Sequence, residues 1–267
     1  MSPGSPDWTH PQLGELPQPP QATTLRTYLL DADDDLAQQF EPRMRFAVRQ
    51  GTTVRVVEAG LGGCQLQPFL HAVRGGPGLM VLAGLTAHET RVGDRTTVEL
   101  LGAGDLLQPP PITDDTLLER GESWRVLSPT RFGLLDAEFG ERIKPWPQLG
   151  QALLRRAFRR IADLDTIRAI NGHPRLEVRL DLLMWHLAAR WGRVELGGIR
   201  LTLPLTHKLL GELVAAERPS ITHALARLAD AGLVIGEHGD WHLVGSPDEH
   251  LESLIEHTVR LTHRRSP

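Results

Sequence analysis

Between Thr206 and Gly232 the chain spells two short amphipathic helices with almost nothing between them, an arrangement that few folds accept. Thr206 suits an N-cap, where its hydroxyl can take one of the amides that open a helix. Leu210, Leu213 and Val214 then mark the buried side of a helix running to about Ala215. The pattern breaks at Ala216 and Glu217. Pro219 follows where proline is tolerated, in the first turn of a new helix whose amides lack partners anyway. Ile221, Leu225 and Leu228, spaced i, i+4, i+7 with Ala224 beside them, form the inner face of that helix. Gly232 ends it as a C-terminal glycine should. At ~100° of rotation per residue, the opposite face presents Pro219, Ser220, His223, Ala226 and Arg227, with Thr222 at its margin.

Leu233 to Ile235 and Trp241 to Val244 flank a turn-rich stretch, Gly236 to Asp240, and read as a β-hairpin. Helix, tight turn, helix and hairpin make a winged helix-turn-helix, in which the second helix lies in the major groove and the first crosses the backbone. The same shape also serves as a protein-interaction module. Residues 171–267 hold 11 Lys+Arg against 12 Asp+Glu, a net charge of −1 that weighs against DNA. Helix N-termini and a few well-placed cations can nonetheless supply most phosphate contacts.

Upstream the texture is different. After Pro145 and Pro147 a long helix is expected to Asn171, with Leu149, Leu153, Ala157, Ile161, Leu164, Ile167 and Ile170 in steps of three and four. Such a stripe calls for cover, and a matching helix from a second subunit is the natural one, with Leu153, Ala157, Ile161 and Leu164 at the seam. The alternative is packing on its own domain. Arg155, Arg156, Arg159 and Arg160 fall mostly off the stripe and read as a solvated face. Residues 141–170 hold 7 Lys+Arg against 3 Asp+Glu and are the only basic segment.

Before that helix, residues 45–136 alternate short β-rich runs with Gly and Pro: Thr52 to Val57, Leu79 to Ala83, Thr96 to Leu101, Trp124 to Leu127 and Arg131 to Leu135. Runs of this kind predict an antiparallel barrel or roll. A short helix is expected over Leu25 to Phe40, with Asp33, Asp34 and Asp35 on its solvated side. The first 24 residues, dense in proline and poor in large apolar groups, read as a tail. A second helix is expected from Leu176 to Trp191, closed by Gly192, Gly197 and Gly198.

The order of parts resembles the Crp/Fnr family of bacterial transcription regulators, which join a cyclic-nucleotide-binding β-roll through a long dimer helix to a winged helix-turn-helix. The resemblance covers roughly residues 25–245. It rests on Leu205 to Val214, Arg218 to Leu228 and Gly232-Leu233-Val234. In the roll it rests on Leu79 to Gly84 and the Gly-Asp turn Leu101-Gly102-Ala103-Gly104-Asp105. It implies an α+β fold: residues 1–24 as a tail, 25–140 as the roll, 141–171 as the dimer helix, 172–245 as the DNA-binding domain and 246–267 as a helical tail. The family's base-reading positions fall on Arg218, Pro219 and His223, with Thr206 and Ser220 against phosphate. Lys208, Thr222 and Arg227 complete the candidate surface.

Pro219 stands where many members have a glutamate and His223 where they have an arginine, so the operator sequence does not carry over. Ala215 replaces a glycine common in the turn. The effector site departs further. Leu106-Leu107-Gln108-Pro109-Pro110-Pro111 follows Asp105 where relatives have a ribose-binding Gly-Glu, and Glu122-Ser123-Trp124 stands near their phosphate-binding Arg-Ser-Ala.

The expectation is a homodimeric, sequence-specific DNA-binding regulator whose roll takes no cyclic nucleotide, with any effector unknown. Its partners would be a palindromic double-stranded DNA site, a second copy of itself and RNA polymerase. The alternative is a ligand-binding or scaffolding module whose winged domain contacts protein. No catalytic constellation, metal-ligand spacing or cofactor motif stands out. No apolar run reaches the ~18 residues of a membrane span. The single Cys64 cannot form an internal disulfide, and the reading is a reduced, cytosolic protein.

Overall fold

The computed structural model describes residues 25–109, 118–237 and 239–254. The expected N-terminal tail, Pro110 and Pro111 of the proline run and the end of the expected C-terminal tail lie outside them. Among the described residues no helix is long and apolar enough to cross a membrane.

The chain opens with β1 (Arg26–Tyr28), α1 (Leu29–Ala32), α2 (Asp34–Gln38) and α3 (Pro42–Gly51). The single helix expected over Leu25 to Phe40 is therefore replaced by a strand and two short helices. The cause is Asp33: its backbone is extended, at φ −146°, and its carboxylate accepts from the Leu36 amide at 3.0 Å, ending one helix and capping the next.

The roll follows as β2 (Thr53–Ala59), β3 (Gly62–Cys64), α4 (Gln67–Ala72), β4 (Gly78–Val92), β5 (Arg95–Gly102), β6 (Leu106–Leu107) and β7 (Arg120–Leu135). Its antiparallel sheet runs β1-β2-β7-β4-β5, with β3 on β7 and β6 on β4. The long pairing of β4 with β7 bends through register shifts between Val81 and Thr86. Gly84 sits in that bend at φ +92°, and a Cβ there would lie 2.3 Å from the Pro129 carbonyl oxygen. Only glycine fits such a position.

A short α5 (Ala137–Arg142) leads into α6 (Pro147–Asn171), the long helix, and then α7 (Leu176–Trp191). The C-terminal domain holds β8 (Gly192–Glu195), β9 (Gly198–Thr202), α8 (His207–Leu213), α9 (Arg218–Asp230), β10 (Val234–Glu237) and β11 (Asp240–Val244). Its antiparallel sheet is ordered β10-β11-β9-β8. The β8–β9 hairpin was not foreseen. Gly192, Gly197 and Gly198 were expected only to close the preceding helix, whereas Gly197 is the turn, at φ +84°.

Three buried clusters form the core. One lies inside the roll around Phe132, Trp124 and Leu66. A second joins the roll to the N-terminal helices and the first turns of α6 through Phe139, Leu149 and Leu153. The third unites α7, α8, α9 and the wing sheet with one face of the roll, Leu85, Ala87, Val98 and Leu100. The roll and the C-terminal domain thus share apolar burial.

Two of the four α6 arginines, Arg156 and Arg160, depart from the expected solvated face, while Arg155 and Arg159 are exposed. Arg156 is buried, with Nη2 2.6 Å from Asp33 Oδ1 and Nη1 donating to the Gly104 carbonyl at 3.0 Å. Arg160 forks onto both oxygens of Glu99, each at 2.8 Å. Arg155 reaches Gln39 Oε1 at 3.1 Å, and Arg159 lies 3.8 Å from Asp105. Guanidinium groups reach across to acceptors on the roll, a long-range pairing that helical periodicity does not encode.

Candidate DNA interface

The helix-turn-helix is built by local chemistry that the sequence displays. Thr206 Oγ1 accepts from the Leu209 amide at 3.1 Å and caps α8. After α8 the chain turns at Ala215, whose φ of +52° places a non-glycine residue in the left-handed region. That strain is repaid by closure: the Ala216 amide donates to the Gly211 carbonyl at 2.9 Å, and a Cβ on Gly211 would meet the Ala216 oxygen at 2.5 Å. Pro219 occupies the first turn of α9. Ile221, Ala224, Leu225 and Leu228 are buried with Leu209, Leu210 and Leu213 of α8.

All seven candidate DNA-contacting residues, Thr206, Lys208, Arg218, Ser220, Thr222, His223 and Arg227, are exposed. They differ in what their side chains already hold. Thr206 accepts at its cap and keeps its hydroxyl proton to donate. Thr222 Oγ1 donates to the Arg218 carbonyl at 3.2 Å and meets His207 Nδ1 at 2.9 Å. Arg227 pairs with Glu177 of α7, and Lys208 Nζ lies 3.7 Å from Glu212. Among the described residues, Arg218, Ser220 and His223 have no side-chain partner. They cluster at the N-terminal end of α9, where unpaired amides and the helix dipole favour an anion.

The wing is stiffened from behind. Arg200 on β9 donates to both oxygens of Asp240 at 2.8 and 2.6 Å. That fork holds the Asp240 carboxyl below the usual carboxylate range. Trp241 and Leu243 anchor β11 in the core.

A helical turn over 247–254 packs beneath the domain through a buried imidazole. His250 Nδ1 lies 2.6 Å from Asp181 Oδ1, and Nε2 lies 2.5 Å from the Val244 carbonyl oxygen. Burial lowers the His250 pKa, but the Asp181 and Val244 bonds outweigh it and hold the group above its ordinary value.

Along α6 the candidate seam residues separate. Leu153 is 2% exposed inside the roll core and has no surface to offer a partner. Ala157 is half-buried, while Ile161 and Leu164 are 55% and 41% exposed. Sequence reasoning missed Leu154 and Phe158, which are 52% and 60% exposed. At ~100° per residue, Leu154, Phe158 and Ile161 lie ~80–140° round the helix from Leu153. The inner stripe faces the roll, and a second apolar stripe faces out.

Besides the Arg227–Glu177 pair, polar links to β7, α6 and α7 tie the helix-turn-helix to the rest. Arg125 Nη2 on β7 bridges Glu89 at 2.9 Å and Glu212 of α8 at 2.6 Å. Asn171 at the end of α6 donates to the Leu213 carbonyl at 3.1 Å, and Arg179 of α7 to that of Val214 at 3.0 Å.

In the roll, Asp105 of the Gly-Asp turn is buried, accepts from the Gly102 amide at 2.8 Å and pairs with Arg190 of α7 at 2.8 Å. Glu122 is paired with Arg120 at 2.5 Å and lies 3.9 Å from His88, which stacks on Trp124 with ring centroids 4.0 Å apart. Burial raises the Glu99 pKa, but the Arg160 fork and His88 outweigh it and hold Glu99 below the usual carboxylate range. Cys64 is buried, its thiol pushed up to about 11 by desolvation. Among the described residues no cluster of three or more His, Cys, Asp or Glu side chains could hold a metal ion.

Residues 178–246 match the Crp-like helix-turn-helix domain family. No curated protein matches the chain in sequence. Among solved structures, a cyclic nucleotide-binding domain containing protein from Listeria monocytogenes is 15% identical with a TM-score of 0.59, over 81% of this chain and 97% of its own. A CooA variant from Carboxydothermus hydrogenoformans is 14% identical with a TM-score of 0.57, over 87% and 98%. A transcriptional regulator of the CRP/FNR family from Thermus thermophilus is 19% identical with a TM-score of 0.51, over 74% and 97%. At these identities the likeness is one of fold: roll, long helix and winged domain in the same order.

Proposed function

We propose that this chain is a Crp/Fnr-type regulator that binds a palindromic DNA site as a homodimer, without cyclic nucleotide, a reading supported by the Crp-like helix-turn-helix match over residues 178–246 and by the fold shared with solved regulators. The observation that carries the reading is the exposed N-terminal end of α9, where Arg218, Ser220 and His223 have no other partner among the described residues. A recognition helix needs such uncommitted side chains, because each hydrogen bond to a base edge must come from a group not already satisfied. Arg218 reads guanine through its fork and His223 adds a single bond. Lys208, Thr206 and Ser220 hold phosphate.

The homodimer rests on the outer stripe of α6. Leu154, Phe158 and Ile161 are large apolar groups in steps of four and three, with Leu164 at the edge of the stripe, and the same stripe on a second copy covers them by coiled-coil-like packing. A twofold protein reads a twofold site, in the cytoplasm where the DNA is, with RNA polymerase as a further partner. The absence of a nucleotide effector is supported by Glu122, a carboxylate held by Arg120 beside the position of the family's phosphate-binding arginine. Arg160 is likewise paired, through a fork onto Glu99.

Selection of bound sequences from a pool of random duplexes by mobility shift tests the reading. Enrichment of an inverted repeat is the expected result. Failure to retain any duplex at low salt would refute it.

A further inference from the structure

Where β5, α6 and α7 meet, the chain encloses a cavity of about 310 Å³. It lies at the lower end of the ~300–1,000 Å³ typical of small-molecule sites. Its wall is largely apolar, from Val98, Leu100, Leu164, Ile167, Leu187 and Leu213, which come from the roll, the long helix and the C-terminal domain together. None of its lining residues lies between 106 and 126, where the family resemblance places the cyclic nucleotide.

Most charges in the wall are already paired. Arg160 forks onto both Glu99 oxygens. Arg190 is held by Asp105 and by the Ala103 carbonyl at 3.2 Å. Arg159 faces the same Asp105 at 3.8 Å. With Asp163 the lining counts three arginines against three carboxylates. His186 and the indole N–H of Trp191 are the remaining polar groups, and burial, opposed by Asp163, holds the imidazole below its ordinary pKa and so neutral at pH 7. A neutral imidazole offers one donor and one acceptor. A charged ligand would leave this balance with an unanswered charge against a largely apolar wall, which is costly.

We propose that this cavity is a binding site for an uncharged, mainly apolar small molecule bearing one hydrogen-bonding group that pairs with His186. Its occupant touches the roll, α6, α7 and α8 at once and therefore holds the C-terminal domain against the roll. The site stands on its own geometry and does not depend on the DNA reading.

The probe is indole, which has an apolar body and one N–H, titrated by calorimetry into the full chain without DNA. The expected result is saturable binding at one indole per chain, weakened at least tenfold in Ile167→Trp, which fills the cavity. Indene, the isostere without the N–H, should bind more weakly than indole to the wild type and equally to His186→Phe. That second variant keeps the test intact if Ile167→Trp does not fold. Indole-3-acetate, with the same body and a carboxylate, should bind at least tenfold more weakly than indole. No saturable heat with indole, binding unchanged in a folded Ile167→Trp, an indole preference that survives in His186→Phe, or acid binding as tight as indole would each overturn the proposal.

Discussion

Arg156 on the long helix donates to Asp33 across 2.6 Å, joining residues 123 positions apart with both side chains almost wholly buried. Asp33 Oδ1 also caps α2 through the Leu36 amide, and Arg156 also holds the Gly104 carbonyl. One ion pair therefore fixes the N-terminal helices, the Gly-Asp turn and α6 in a single arrangement.

Removing one partner leaves a buried charge unpaired, which typically costs ~3–5 kcal/mol. Asp33→Ala and Arg156→Ala are each expected to destabilise the chain by about that amount in urea unfolding. Asp33→Leu combined with Arg156→Leu should cost clearly less than the sum of the singles, because neither charge is then stranded. Additive losses would show that the two side chains act independently.

The seam is expected to answer to its outer stripe. Phe158→Asp with Ile161→Asp places charge where apolar groups are to meet, and should yield folded monomers by light scattering. Leu153→Asp, by contrast, buries a carboxylate inside the roll at a cost of several kcal/mol and should unfold the chain. A folded, dimeric Phe158/Ile161 double variant would remove α6 as the seam.

His250 gives the winged domain a defined pH dependence. Its folded pKa is raised above the ordinary 6.5. The protonated imidazole therefore contributes stability that is fully present below about pH 6.5 and is lost as pH rises through the higher folded value. Thermal unfolding should show the melting temperature falling over that interval in the wild type. In His250→Gln the fall should be absent and the protein less stable at low pH, with Asp181 left buried without its cation.

Cyclic AMP and cyclic GMP are expected to leave the melting temperature unchanged. A ligand at 100-fold excess over its dissociation constant stabilises a protein by ~2.7 kcal/mol, a shift of several degrees. Such a shift with either nucleotide would mean that the roll accommodates a phosphate despite Glu122.

The winged domain was legible in the sequence because its signals are local. The Thr206 cap, Pro219 in a first turn, the spacing of Ile221, Leu225 and Leu228, and Gly232 at φ +71° each act within one or two helical turns. The roll was legible as a class, though β4 and β7 are far longer than their most β-rich runs, because strand pairing extends order past local preference. What escaped depends on distant partners. Three consecutive aspartates suggest solvent until Arg156 reaches one of them. Arg156 and Arg160 suggest solvent until Asp33 and Glu99 face them. Of the expected seam residues Leu153 is already covered by the chain's own core, because periodicity finds an apolar stripe without saying what covers it.

The most direct test concerns the end of α9. An arginine fork on guanine is worth roughly 1–3 kcal/mol of discrimination, and a phosphate contact is worth the same on every sequence. Binding of Arg218→Ala and Lys208→Ala to the selected site and to random duplex, across a salt series, separates the two roles. Arg218→Ala should lose about 1–3 kcal/mol on the selected site and almost nothing on random DNA, with His223→Ala showing a smaller loss of the same kind. Lys208→Ala should weaken both equally and lower the salt slope by about one. Equal losses on selected and random DNA for Arg218→Ala would contradict base reading by this helix.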